Sequence, residues 1–199
     1  MLNNIARIQR ALTQAHLDAI LLTDENDRRF ATGFPSSDGA VIVTVHQAFF
    51  ITDARYIEAA RAALTGIAQV LLCSREAPMR TLVQGILREA MEDGAAGFST
   101  GLIYTPSCYA EEKEIIELAK VIAPFNGIYA SHMRNESDKI VEAVEETINV
   151  GRQAGVLVDI SHHKMLGKPN WGKQKQTLAL MHKARDEGIP VICDQYPYT

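Results

Sequence analysis

Apolar positions change their spacing partway along this chain, and the change divides it. Ile5, Ile8 and Leu12 recur on one helical face, which Asn3 or Asn4 can cap, and DAILLT at 18–23 follows as a strand. A polar loop then leads to ATGF. AVIVTV at 40–45 and AFFIT at 48–52 read as a hairpin joined by His46 and Gln47, although that pair lacks the residues that primed turns favour. TDARYIEAARAAL predicts a helix opened by Thr52 or Asp53, and IAQVLL a further strand. Residues 1–76 are therefore expected to form a small α/β unit with an antiparallel pair.

From Pro78 onward helices and strands alternate strictly. The pattern predicts a helix over 79–92, strand AAGFS, a helix over 109–122, strand IYASH, a helix over 137–153, strand VLVDIS, a helix over 172–187 and strand VICD. Such alternation gives parallel strands joined by right-handed crossovers, so residues 77–199 are expected to hold about four such strands, where a closed (β/α)8 barrel needs eight. Lysine usage supports the seam: all eight lysines lie at or after Lys113. No Pro, Gly or Ser-rich linker and no internal repeat marks the junction.

Chemistry concentrates at the ends of the later strands. His132 ends GIYASH and His162 follows VLVDIS, each after a serine, and one strand plus one helix separates them. Two imidazoles would then stand at the carboxyl ends of adjacent parallel strands, close enough to share a zinc ion. A purely hydrogen-bonding role in a barrel mouth is the alternative. Lys164 could hold a substrate carboxylate or be simply solvated, and Tyr104 and Tyr196 stand after strands beside prolines, as substrate contacts or as turn residues. Asp194 suits a ligand or base as well as a cap.

Composition removes several classes of function. A net charge of −4 and a pI near 5.9, with no basic stripe, argue against nucleic acid. No apolar run reaches membrane-spanning length, and MLNNIARIQR lacks a basic region followed by an apolar core, so a cytoplasmic location is expected. Cys73, Cys108 and Cys193 are far apart and form no CxxC pair, which leaves neither a disulfide framework nor a cysteine-rich zinc site.

The strings LREAMEDGAAGFSTGLIYTPSCYA, IYASHMRNE, VDISHHKMLGKPNWGK and CDQYPYT resemble the N-acyl-D-amino-acid deacylases (D-aminoacylases) of the amidohydrolase superfamily. The resemblance implies a zinc-bearing (β/α)8 barrel that hydrolyses the amide of N-acyl-D-amino acids. It makes His132 and His162 metal ligands and places Tyr104, Lys164 and Tyr196 at the substrate. The family's His-x-His pair, its ligating cysteine and its aspartate base have no counterpart, so weak zinc binding and negligible turnover are expected from this chain alone, and no catalytic residue is assigned. RIQRALTQAHLDAILLTDENDRRFATGF, SDGAVIVTV and FFITDARYIEAA resemble the amino-terminal domain of creatinase, prolidase and Xaa-Pro aminopeptidase. That similarity implies a noncatalytic domain engaged in oligomer contacts. Three readings follow: an amidohydrolase fragment, a noncatalytic association module whose exposed half-barrel edges seek a partner chain, a homo-oligomer included, and a truncated or misjoined chain without activity.

Overall fold

A computed structural model describes residues 4–105 and 107–197, which form two four-stranded sheets in two units, Met1–Ile86 and Leu87–Thr199. The first unit begins with α1 (Asn4–Ala15), whose buried face is Ile5 and Leu12; Asn3 lies outside the described residues. Its sheet runs β1 (Ala19–Leu22), β2 (Ala40–Thr44), β3 (Ala48–Thr52) and β4 (Gln69–Leu72), with the first two pairings antiparallel and β3 to β4 parallel.

The segment expected as a polar loop is instead α2 (Glu25–Thr32). Asp24 caps it by accepting from the amides of Asn26 and Asp27, and Gly33 ends it at φ 74°, a left-handed position that glycine adopts without steric cost. The β2 to β3 hairpin closes without glycine because the Thr44 hydroxyl accepts from the amides of both His46 and Gln47, at 3.2 and 2.9 Å. The next helix, α3 (Ile57–Ala63), starts later than its sequence suggests. Thr52 stays in β3, and the Asp53 carboxylate turns the chain by accepting from the Arg55 amide.

Both faces of this sheet are covered. Val41, Val43 and Phe50 meet α1 and α3, while Ile42, Phe49 and Ile51 meet Met79, Leu82 and Ile86 of α4 (Met79–Glu92). Alternation with period two along β2 and β3 thus serves two cores, which is why both strands read as nearly continuous apolar runs.

The second unit is wholly parallel, in the order β5 (Gly97–Gly101), β6 (Ile128–His132), β7 (Leu157–Ile160) and β8 (Val191–Cys193). Successive strands are connected through α5 (Glu112–Ile122), α6 (Ile140–Ala154) and α7 (Gln174–Asp186). Tyr129, Val158, Ile160 and Val191 point from the sheet into one buried cluster with Ile115, Ile148 and Met181 of the helices. Residues on the opposite face are more open, with Ile128 37% and Ile192 43% exposed. Gly97 is required where β5 meets β6, since a Cβ there would stand 2.0 Å from the Ile128 carbonyl oxygen. No helix among the described residues is long and apolar enough to cross a membrane.

Candidate metal centre

The carboxyl ends of β5 to β8 bring the two histidines together. His132 closes β6, paired in register with Gly101, and His162 follows β7 by two residues. Their ring centroids are 4.1 Å apart at 65°. The His162 backbone is left-handed, at φ 43°, an uncommon conformation for a residue with a Cβ. Asp194 fixes it: its carboxylate accepts the His162 amide, and its carbonyl accepts the His163 amide at 2.9 Å. Asp194 therefore acts as a backbone clamp. His163 turns away into the core, where Nε2 meets the Thr177 hydroxyl at 3.0 Å and burial lowers its pKa.

Tyr104, which the β5 end delivers, stands with its ring 4.9 Å from His132, and Tyr196, just after β8, stacks on His162 at 5.3 Å and 20°. Lys164 lies over the Tyr196 ring, 5.1 Å from its centroid, within the range of a cation–π contact. Tyr104, His132, His162, Lys164 and Tyr196, each singled out in the sequence, thus converge.

Sequence reasoning missed the residue at the centre. Glu136, 3% exposed, lies against both imidazoles with Oε1 3.0 Å from His162 Nδ1 and 3.8 Å from His132 Nε2. Its other oxygen, Oε2, lies 2.7 Å from Lys164 Nζ, which also reaches His162 Nδ1 at 3.0 Å. Despite the short distance to His162, no donor among the described residues is aimed at Oε1. An acidic residue four positions after a strand-end histidine was the available signal, but its burial depends on a tertiary turn. Two anchors make that turn. The Glu136 carbonyl accepts the Leu166 amide at 2.7 Å, and Arg134 binds Glu146 together with the carbonyls of Cys108 and Ala110.

The electrostatics favour ligand chemistry. Burial, the His162 ring and Lys164 lower the His132 pKa, and Glu136 opposes them, so the imidazole stays neutral with a lone pair to offer. His132, Glu136 and His162 present ligand atoms that all lie within 4.8 Å of one another. Two imidazoles and a carboxylate form a donor set suited to zinc, and an unsatisfied buried carboxylate oxygen is what a cation would relieve.

The family described as the Creatinase/Prolidase N-terminal domain matches residues 4–165. N-acyl-D-glutamate deacylase of Alcaligenes xylosoxydans xylosoxydans is 41% identical over 144 residues, 69% of this chain and 30% of that protein. D-aminoacylase of the same organism is 46% identical over 122 residues, 61% of this chain and 24% of that protein. Among solved structures, N-acyl-D-glutamate deacylase from Bordetella bronchiseptica, complexed with zinc and a phosphonate mimic of the tetrahedral intermediate, superposes with a TM-score of 0.58. It shares 36% identity over 71% of this chain and 34% of its own. The chain thus spans about a quarter to a third of the length of these relatives.

Proposed function

Because the chain belongs to the Creatinase/Prolidase N-terminal domain family and also shares a long stretch with deacylases, we propose that it is part of a zinc-dependent amidohydrolase acting on N-acyl-D-amino acids. In this reading residues 1–76 are a noncatalytic domain, and residues 77–199 contribute β5 to β8 as four successive strands of a (β/α)8 barrel. Support comes from the all-parallel strand order and from the position of the site at the strands' carboxyl ends, where barrel enzymes build their active sites.

The observation that carries the proposal is the row Tyr104, His132, His162, Tyr196 with Lys164 beside it. His132 and His162 would hold the ion. Zinc bound there supplies polarisation of the scissile carbonyl and a lowered pKa for its water. Lys164 then offers a point charge to the substrate carboxylate, and the tyrosine rings wall the acylated amino acid between them. Neutral His132 keeps its lone pair available, and the Asp194 clamp holds His162 in its strained conformation so that its ring faces His132.

Zinc-dependent ligand selectivity tests this reading directly. Saturation-transfer NMR on the zinc-loaded chain should detect N-acetyl-D-glutamate or other N-acetyl-D-amino acids in preference to their L enantiomers, and chelation should abolish the signal. Equal response to both enantiomers, or a response that survives chelation, would count against it.

A further inference from the structure

Three lone-pair atoms converge in the second unit, and only part of their charge is balanced. We infer that Glu136 Oε1 is a third donor to the ion assigned to His132 and His162, so that this chain holds zinc through a His2Glu set rather than through two histidines. The inference rests on the zinc reading above and adds a ligand to it.

Geometry carries the argument. Zinc bound at about 2.05 Å to N and O donors in a tetrahedron separates neighbouring donors by about 3.3 Å. The carboxylate oxygen stands 3.0 Å from His162 Nδ1 and 3.8 Å from His132 Nε2, distances that bracket this edge. Hydrogen bonding gives the same answer. When His162 Nδ1 accepts from Lys164 it carries no proton to donate to Oε1, so two electron-rich atoms stand 3.0 Å apart, a repulsion that a cation shared between them relieves. Lys164 answers this for Oε2 and Nδ1, at 2.7 and 3.0 Å, but leaves Oε1 buried with no donor from the described residues. A buried acceptor left this way is costly, and a divalent ion between Oε1 and the two rings removes the cost.

The site is also held in advance. Leu166 and Arg134 fix the segment carrying Glu136 before any ion arrives, so little ordering accompanies binding. With Glu136 opposed by Lys164, an added Zn2+ leaves an excess of positive charge. That excess is directed at the row of rings, where an anionic substrate would lie.

The test compares zinc affinity of the purified full chain in two variants that both lack the lysine contact, K164M and E136Q/K164M. Neither variant leaves an unpaired buried lysine, and circular dichroism establishes that both fold. Competition with a chromophoric chelator should give one zinc per chain in K164M and an affinity at least about tenfold lower when Glu136 is also replaced. Replacing zinc by Co2+ should give a tetrahedral visible spectrum in K164M that weakens and shifts in the double variant. Equal affinities and unchanged spectra would overturn the inference, because Glu136 would then serve only as the partner of Lys164. Selectivity for D ligands is read separately, so either proposal can fail while the other stands.

Discussion

Arg134 is the most heavily bonded side chain near the site, and truncating it gives a quantitative test of how the segment after β6 is held. Its guanidinium meets Glu146 through Nε and Nη2, at 3.2, 3.0 and 2.7 Å, and donates to the carbonyls of Cys108 at 2.5 Å and Ala110 at 2.9 Å. Bonds to a charged group are worth about 1.5–3 kcal/mol each, and removing one partner of a buried pair costs about 3–5 kcal/mol. Arg134 and Glu146 retain 29% and 17% side-chain exposure, so water replaces part of what is lost and the lower end applies. Arg134→Ala should therefore destabilise the second unit by about 3 kcal/mol, a large share of the 5–15 kcal/mol typical of a domain. Arg134→Lys should fall between, since an ammonium cannot reproduce the fork. Urea unfolding followed by far-UV circular dichroism and by the fluorescence of Trp171, the sole tryptophan, reads the second unit. A double-mutant cycle with Glu146→Ala should show coupling of roughly 2 kcal/mol. A loss under about 1 kcal/mol with no coupling would refute the view that this arginine anchors the segment between His132 and Glu136.

Two further outcomes are expected. Gly97→Ala should cost about 3 kcal/mol or more, because its Cβ would meet Ile128 backbone atoms at 2.0 and 2.6 Å, whereas Gly155→Ala, at φ 72° with open space around it, should cost only about 1–2 kcal/mol; similar losses in thermal unfolding would contradict the steric argument. In the chelator-treated chain, His163 should make stability sensitive to acid: burial lowers its folded pKa, so the unfolded chain takes up the proton first. Stability should be full above the unfolded value of about 6.5 and decline as pH falls from there towards the folded pKa. His163→Gln should flatten that dependence in urea titrations, and an unchanged slope would show that His163 does not cause it.

The architecture was legible where periodicity is strong. IYASH and the helix before VLVDIS declare themselves through period two and period 3.6, and β6 (Ile128–His132) and α6 (Ile140–Ala154) form there. Helix α2 was not legible from its hydrophobic pattern, because ENDRRFAT is almost wholly polar; its ends, Asp24 and Gly33, held the information. Thr44 shows the same limit, since a hydroxyl replaced the expected turn residues. At the site, residue type and strand-end position pointed to His132 and His162, and the deacylase resemblance to Lys164, Tyr104 and Tyr196. Glu136 escaped because nothing local separates it from a solvated acid in a polar loop. Its role arises from closure of that loop against residues 164–166, a long-range contact that spacing does not encode.

Zinc stoichiometry tests the central claim most directly. Equilibrium dialysis of the purified chain against buffered zinc should give one ion per chain, lost in His132→Ala and in His162→Ala while both variants keep their circular dichroism spectra. Absence of bound zinc in the unaltered chain, or one ion retained in both variants, would contradict a metal centre at the ends of β6 and β7.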